Sequence, residues 1–427
     1  MRHASIALVC LIGASLPAMG QQLTLEECRQ KALSHYPEVA RYDLIDQSEQ
    51  YNLRAASRCW IPQVTLSSQA TWQSATASFP DQLRDRMTAQ GLDLPGIPKD
   101  QYRIQLDVQQ TVFDGGSSAA GKKISALEAK EQRLGSDAVL FAVGQRISEI
   151  YFSILLLDGN HAIAQETEAL LDANRLRLES MHRNGLATRS DLDQIEVERL
   201  LLVQQMDQNR ASRAQFAAML ETFIGEPLND RDLVLPEEPG LLSRRNPTPE
   251  VRLLDARIAT LDAREEMLRA QVRPVISFFA QGYYGNPGLD MFKSMTSRDW
   301  TWNAYLGVRM QWNISALFTL GTDKRQLGNA RSTLAVQKDV ATFNDNLQNE
   351  RLDSEIVRMR KALQDDEAIV SLRSDIRGAA ESQRENGIID TATLLQRIAE
   401  ENTARNTRSI HEIELRKNEY ELYYHLK

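Results

Sequence analysis

Cysteine is nearly missing from this chain of 427 residues, with three in all, and one of these, Cys10, sits in the apolar N-terminal segment. Cys28 lies in one predicted helix (about Thr24 to Arg58) and Cys59 at its end, about 45 Å apart at 1.5 Å per residue. A disulfide needs Cα atoms within about 7 Å, so both read as isolated thiols. His35, His161, His182, His411 and His425 are scattered without ligand spacing. No phosphate loop or nucleophile motif is present. Catalytic, cofactor-binding and metal residues are therefore expected to be none. Proline is absent between Lys99 and Glu226 and again between Gly288 and Lys427. Since proline breaks helix interiors, these spans permit unusually long helices. No run of eighteen apolar residues follows the first twenty, which excludes a membrane-spanning helix. A net charge of −8 comes from 50 basic and 58 acidic side chains without a polybasic patch. Nucleic acid is accordingly excluded as a partner.

What is present begins with a secretion signal over residues 1–20. Arg2 supplies the positive start, Ala4 to Leu16 the apolar segment and Ala18-Met19-Gly20 the small-residue cleavage site. Four later stretches alternate apolar and polar residues. Val64, Leu66, Ala70 and Trp72 oppose Gln63, Thr65, Ser67 and Gln69. Tyr102, Ile104, Leu106 and Val108 oppose Gln101, Arg103, Gln105 and Asp107. The third is weaker, with Ile276, Phe278, Ala280 and Tyr284 interrupted by Val275 and Phe279. In the fourth, Trp300, Trp302, Ala304, Leu306, Val308, Met310 and Trp312 oppose Thr301, Asn303, Tyr305 and Arg309. A period of two over about ten residues is the length of a transmembrane β-strand. Four strands cannot close a barrel, because the smallest single-chain barrels need about eight. Such strands predict a barrel assembled from several chains.

The chain is also a tandem duplication. Pro37-Glu38-Val39 is followed twenty-five residues after its proline by Pro62, and Pro249-Glu250-Val251 likewise by Pro274. Each half then carries two alternating strands, a long helix ending at Asn-Gly, and a return helix. The expected organisation is a signal over 1–20, a first repeat over 21–226 with strands at about 62–73 and 101–113, and a connection over 227–248. The second repeat covers 249–427, with strands at about 274–284 and 299–312. A helix from about Gly116 to Arg183 would run about 100 Å. The first helix and the return helix, stacked end to end, match that length.

The ordered residues resemble the TolC family of outer-membrane efflux proteins over nearly the whole mature chain. The resemblance rests on Leu23-Thr24-Leu25-Glu26-Glu27-Cys28, Trp60-Ile61-Pro62, Val112-Phe113-Asp114-Gly115-Gly116 and the turn from Asn184 to Leu192. Trp312-Asn313-Ile314-Ser315 and Asn386-Gly387-Ile388-Ile389-Asp390 carry it in the second half. It implies a mainly α fold with a membrane β-barrel portion: a homotrimer with a twelve-stranded barrel, four strands per chain, continued by an α-barrel. The implied location is the outer membrane with its lipid, extending into the periplasm after signal cleavage. The implied role is a passive exit duct for a tripartite efflux pump or a type I secretion system. Partners would be a periplasmic adaptor and an inner-membrane RND, ABC or MFS transporter. The adaptor would dock at the turns of Asn184, Gly185, Asn386 and Gly387. A soluble periplasmic adaptor or scaffold is the alternative, without duplicated strands of membrane length.

Family members often narrow the periplasmic end with acidic residues after the second turn, where this chain has Thr393 and Gln396. Asp191, Asp193, Arg384 and Asp390 are the charged candidates for that aperture. Asp191 and Asp390 equally suit helix capping. Trp72, Trp300, Trp302 and Trp312, with Trp60, suit either membrane-interface anchoring or ordinary strand packing. Arg103, Asp107 and Arg309 have the lumen-facing parity, where they would tune ion preference or simply be solvated.

Overall fold

The computed structural model describes residues 22–228, 233–240 and 246–427. The secretion signal expected over 1–20 lies outside these residues, as does part of the connection expected over 227–248. The elements in chain order are α1 (Leu25–His35), α2 (Ala40–Ser57), β1 (Gln63–Trp72), α3 (Asp81–Ala89), β2 (Asp100–Phe113), α4 (Ser117–Arg183) and α5 (Arg189–Ile224). There follow α6 (Pro249–Gln271), β3 (Val275–Asn286), α7 (Met291–Thr296), β4 (Thr301–Gln311), α8 (Ala316–Glu385) and α9 (Thr391–Leu426). The proline-free spans become α4 and α8, of 67 and 70 residues.

One expectation is corrected. The helix expected over about Thr24 to Arg58 is two helices, interrupted by extended Tyr36 and a 3-10 turn over Pro37–Val39. The proline ring disfavours helical geometry at the residue before it, so α1 ends at His35. Cys28 and Cys59 therefore do not share a helix. Cys28 is buried in α1, where burial pushes its thiol up to about 12. Cys59 sits in a second 3-10 turn, Arg58–Trp60. Both thiols are free.

The described residues form two compact units: those within 22–40, 136–249 and 342–427, and those of Arg41–Gly135 with Glu250–Ala341. The first unit is a helical body with two apolar clusters. In one, Leu25, Cys28 and Ala32 of α1 meet Ile147, Tyr151 and Ile154 of α4, with Leu220 and Ile224 of α5. Part of α4 reaches a mean hydropathy of 1.4, high enough for a membrane span by composition alone. Its buried side chains, Ile147, Tyr151 and Ile154 among them, line this cluster. Tyr151 organises the cluster's polar edge. Its hydroxyl lies 2.9 Å from the Leu23 carbonyl and 2.6 Å from that of Val234, and accepts from the Val234 N–H at 3.1 Å. Burial is its main perturbation, raising the phenol above its ordinary pKa. The second cluster joins Leu171 and Leu178 of α4, Ile195 and Leu202 of α5, Ala380 of α8, and Leu394 and Ile398 of α9.

The second unit holds one antiparallel sheet in the order β1-β2-β3-β4. Its helices bury mainly small side chains, such as Ala256, Ala263 and Ala270 of α6, beside one cluster of Val251, Leu254 and Ala341 with Leu334 packed against it. They are joined mainly by surface ion pairs such as Arg133–Asp46 and Lys123–Glu266. Exposed pairs of this kind contribute only about 0–1 kcal/mol each. Register gives the sheet its character. Val64 faces Val108, Leu66 faces Leu106, Ala280 faces Leu306, and Tyr284 faces Trp302. Every one of these is even-numbered, and β2 to β3 keeps the same parity through Val108 and Ala280. One face is consequently apolar across all four strands. A bulge between Thr111 and Phe113 breaks the register next to the helix end of β2.

Candidate functional site

The strand-to-helix passage at Asp114-Gly115-Gly116 fixes where the sheet meets α4. Asp114 accepts from the N–H groups of Gly116 at 2.9 Å and Ser118 at 2.7 Å. Gly115 has φ 71°, and a Cβ there would lie 2.6 Å from the Ala270 carbonyl. In the second half, Asn313 takes the aspartate's place and accepts from the Ala316 N–H at 3.3 Å.

On the even-numbered sheet face, Leu306 and Trp302 are 84% and 82% exposed. Apolar side chains that open to surroundings in one chain require a cover, either lipid or another protein surface. The tryptophans fall at both ends of this face. Trp300 and Trp302 gather with Tyr284 at the loop end, with ring centroids 5.2 and 4.9 Å from it, and Tyr102 stacks on Trp300. Trp72 pairs with Asp100 at that same end. At the helix end, the Trp312 indole donates to the Val272 carbonyl at 2.9 Å, and the Trp60 carbonyl accepts from Gln110.

The odd-numbered face carries Arg103, Asp107 and Arg309. Arg103 lies 4.3 Å above the ring centroid of Tyr283, and Arg309 lies 4.8 Å above that of Phe279. Phe279 also meets Tyr305 edge-on at 6.0 Å. Its ring passes over Gly307, where a Cβ would come within 3.1 Å. The weak alternation of β3 thus has a cause: Phe279 belongs to the polar face and partners an arginine there. Asp107 accepts from Gln105 at 2.7 Å.

At the C-terminal ends of α4 and α8 stand the two Asn-Gly turns. Gly185 and Gly387 have φ 73° and 72°, and the next residues, Leu186 and Ile388, donate back to the Met181 and Gln383 carbonyls. These bonds satisfy the last turn of each long helix. Leu186 and Ile388 are 70% and 69% exposed, in equivalent positions of the two turns. Thr188 caps α5 in a reciprocal capping box with Asp191, and Asp390 caps α9 by accepting from the Thr393 N–H at 2.8 Å.

The structure brings Asp191 and Arg384 together, joins Asp390 to Thr393 at the start of α9, and places Asp193 and Gln396 on one cleft. Arg384 is buried and donates through Nε and Nη2 to the Thr391 hydroxyl at 3.1 and 3.0 Å. Thr391 in turn donates to Asp191 Oδ1, while Asp191 Oδ2 accepts from the Thr188 N–H and hydroxyl. Arg384 approaches Asp191 to 3.8 Å. Partial burial would raise the Asp191 pKa, but the bonds from Thr391 and Thr188 overcome it and hold the carboxyl below its usual range. Both Asp191 oxygens are engaged within the chain. Asp193 forms an exposed pair with Arg189 at 3.0 Å, and Gln396 donates to Glu400 at 3.1 Å. Asp193 and Gln396 share a cleft of about 470 Å³ with Val197, Ala392 and Leu395. Thr391 escaped the sequence reading because its partner Asp191 lies 200 positions away.

No family model and no curated protein matches this chain, whereas several solved structures do. The outer membrane protein VceC from Vibrio cholerae is similar with a TM-score of 0.68 at 15% identity, covering 94% of each chain. The outer-membrane channel OprN gives 0.70 at 14%, covering 94% of this chain and 89% of that one. The open-state MtrE outer membrane channel of Neisseria gonorrhoeae gives 0.67 at 14%, with 94% and 88% covered. This chain has the TolC-like fold. That fold contributes four strands per chain to a barrel, which matches the open four-stranded sheet found here.

Proposed function

We propose that three copies of this chain form an outer-membrane channel that conducts solutes passively through a shared barrel. The observation that carries this reading is an open sheet of four membrane-length strands with one continuous apolar face. Each unpaired backbone group at an open edge in lipid costs several kcal/mol, so β1 and β4 require partners. They run antiparallel to one another, so β4 of one copy can pair with β1 of the next. Two copies would give eight strands, about the size at which side chains fill the interior. Three copies leave room for the large odd-face side chains. The aromatic groups at both ends of the apolar face suit the two membrane interfaces.

A stripe on α8 supports the same assembly. Val336, Val340, Phe343 and Leu347 recur at spacings of four, three and four, and all are exposed in the single chain. This is the pattern of a helix that buries one seam against a neighbour. The helical part would extend into the periplasm. There the exposed pair Leu186 and Ile388 would meet a periplasmic adaptor, linking the channel to an inner-membrane RND, ABC or MFS transporter. Either a tripartite efflux pump or a type I secretion system fits this arrangement. The bound charge cluster of Asp191, Thr391 and Arg384 would hold each chain's two turns together there, leaving Asp193 as the freer aperture carboxylate.

The test is native mass measurement of the detergent-solubilised protein together with planar-bilayer recording. A three-chain species with stable unitary conductance is expected. A detergent-independent monomer without conductance would sink the reading. Partner assignment is checked by placing a photo-cross-linker at Leu186 and identifying what is captured in the envelope.

A further inference from the structure

We infer that the odd-numbered face of the sheet is an anion-preferring stage of the channel, built to hold aromatic anions in transit. The inference rests on the proposed reading that this face lines the lumen. Its centre is β3, which presents Phe279 and Tyr283 on that face, about 14 Å apart at 3.4 Å per residue. Each ring carries a guanidinium from a different neighbouring strand. Arg309 of β4 covers Phe279, and Arg103 of β2 covers Tyr283. Tyr305 adds a third ring beside Phe279.

The charge distribution sharpens the point. Strand residues on this face contribute Arg103 and Arg309 against a single carboxylate, Asp107, although the whole chain carries −8. Asp107 is turned toward Gln105. Stacking against a ring face occupies the flat of each guanidinium and leaves its N–H edges pointing away from the ring. An arginine held this way offers a bidentate fork to a carboxylate or sulfonate. Tyr283 is buried and Arg103 covers its ring, but Tyr305, beside Phe279 and Arg309, is 42% exposed and offers its ring to the apolar part of the same solute. An aliphatic anion meets only the charge, whereas an aromatic anion meets both. Repetition around an assembled barrel places these stacks in rings, and charge of one sign lining a channel concentrates the opposite ion.

The experiment uses the full-length trimer in planar bilayers under a potassium chloride gradient. Arg103→Gln with Arg309→Gln is expected to shift the permeability ratio toward potassium by at least about twofold. Asp107→Asn is expected to shift it toward chloride. Naphthalene-1-sulfonate should interrupt current through the wild-type channel more than methanesulfonate does at equal concentration. Tyr305→Leu should remove that difference. Conducting double-arginine channels with unchanged reversal potential, or equal block by the two sulfonates in wild type, would overturn the inference alone. An absence of conductance from wild-type protein would overturn the channel reading itself.

Discussion

Replacing Thr391 by valine removes one hydroxyl and almost no volume, and the structure predicts a large local effect. The hydroxyl accepts both hydrogen bonds that the buried Arg384 side chain makes among the described residues, at 3.1 and 3.0 Å, and it donates to Asp191. Hydrogen bonds to charged groups contribute about 1.5–3 kcal/mol each. Arg384 would retain Asp191 at 3.8 Å, so the net loss is about 2–4 kcal/mol rather than the full sum. At 1.4 kcal/mol per tenfold, local opening at the turns should rise roughly 30- to 1,000-fold. Amide hydrogen exchange in 184–192 and 386–394, measured by mass spectrometry on the assembled protein, reads this directly. Thr391→Ser should keep near-wild-type exchange because it keeps the hydroxyl. An increase below about threefold in the valine variant would refute the claim that this hydroxyl ties the two turns together.

The remaining predictions use the same physics elsewhere. Asp191 has a folded pKa below its ordinary value, so its contribution is complete above about pH 4 and is lost as pH falls through the depressed value; turn protection should stay flat from neutral pH to about 5 and drop only in stronger acid. Gly185→Ala meets open space and should cost only the left-handed backbone strain, about 1–2 kcal/mol. Gly115→Ala adds a clash with the Ala270 carbonyl to the same strain and should reduce assembled protein far more, compared on semi-native gels. Leu306→Arg, on the apolar face, should cost about 2–4 kcal/mol per chain near the bilayer midplane, whereas Gln105→Arg on the opposite face should still assemble. Equal assembly of both variants would reverse the assignment of the two faces.

Much of this architecture was legible because the governing signals are local. Alternation in β1, β2 and β4 follows from backbone geometry, and the proline-free spans gave α4 and α8 with ends marked by Gly185 and Gly387. Capping by Thr188 and Asp390 was readable from residues three apart. The break at Pro37 was visible in the sequence yet overridden by the helical pattern on either side, although proline constrains Tyr36 directly. Phe279 looked like a defect in its strand because its partners, Arg309 and Gly307, lie on another strand.

The sequence by itself determined which residues alternate, where the two long helices stop, and that four strands are too few to close a barrel. Those properties depend on neighbours within a few positions. Only the tertiary structure decided that all four strands keep even-numbered residues on one face, because parity across a sheet is set by register between distant segments. It also decided the roles of the charged candidates. Asp191 sits within 3.8 Å of Arg384 and on Thr391, while Arg103 and Arg309 lie on the rings of Tyr283 and Phe279. A charge in sequence has no partner until folding supplies one, and its partner fixes whether it caps, clamps or faces a passing ion.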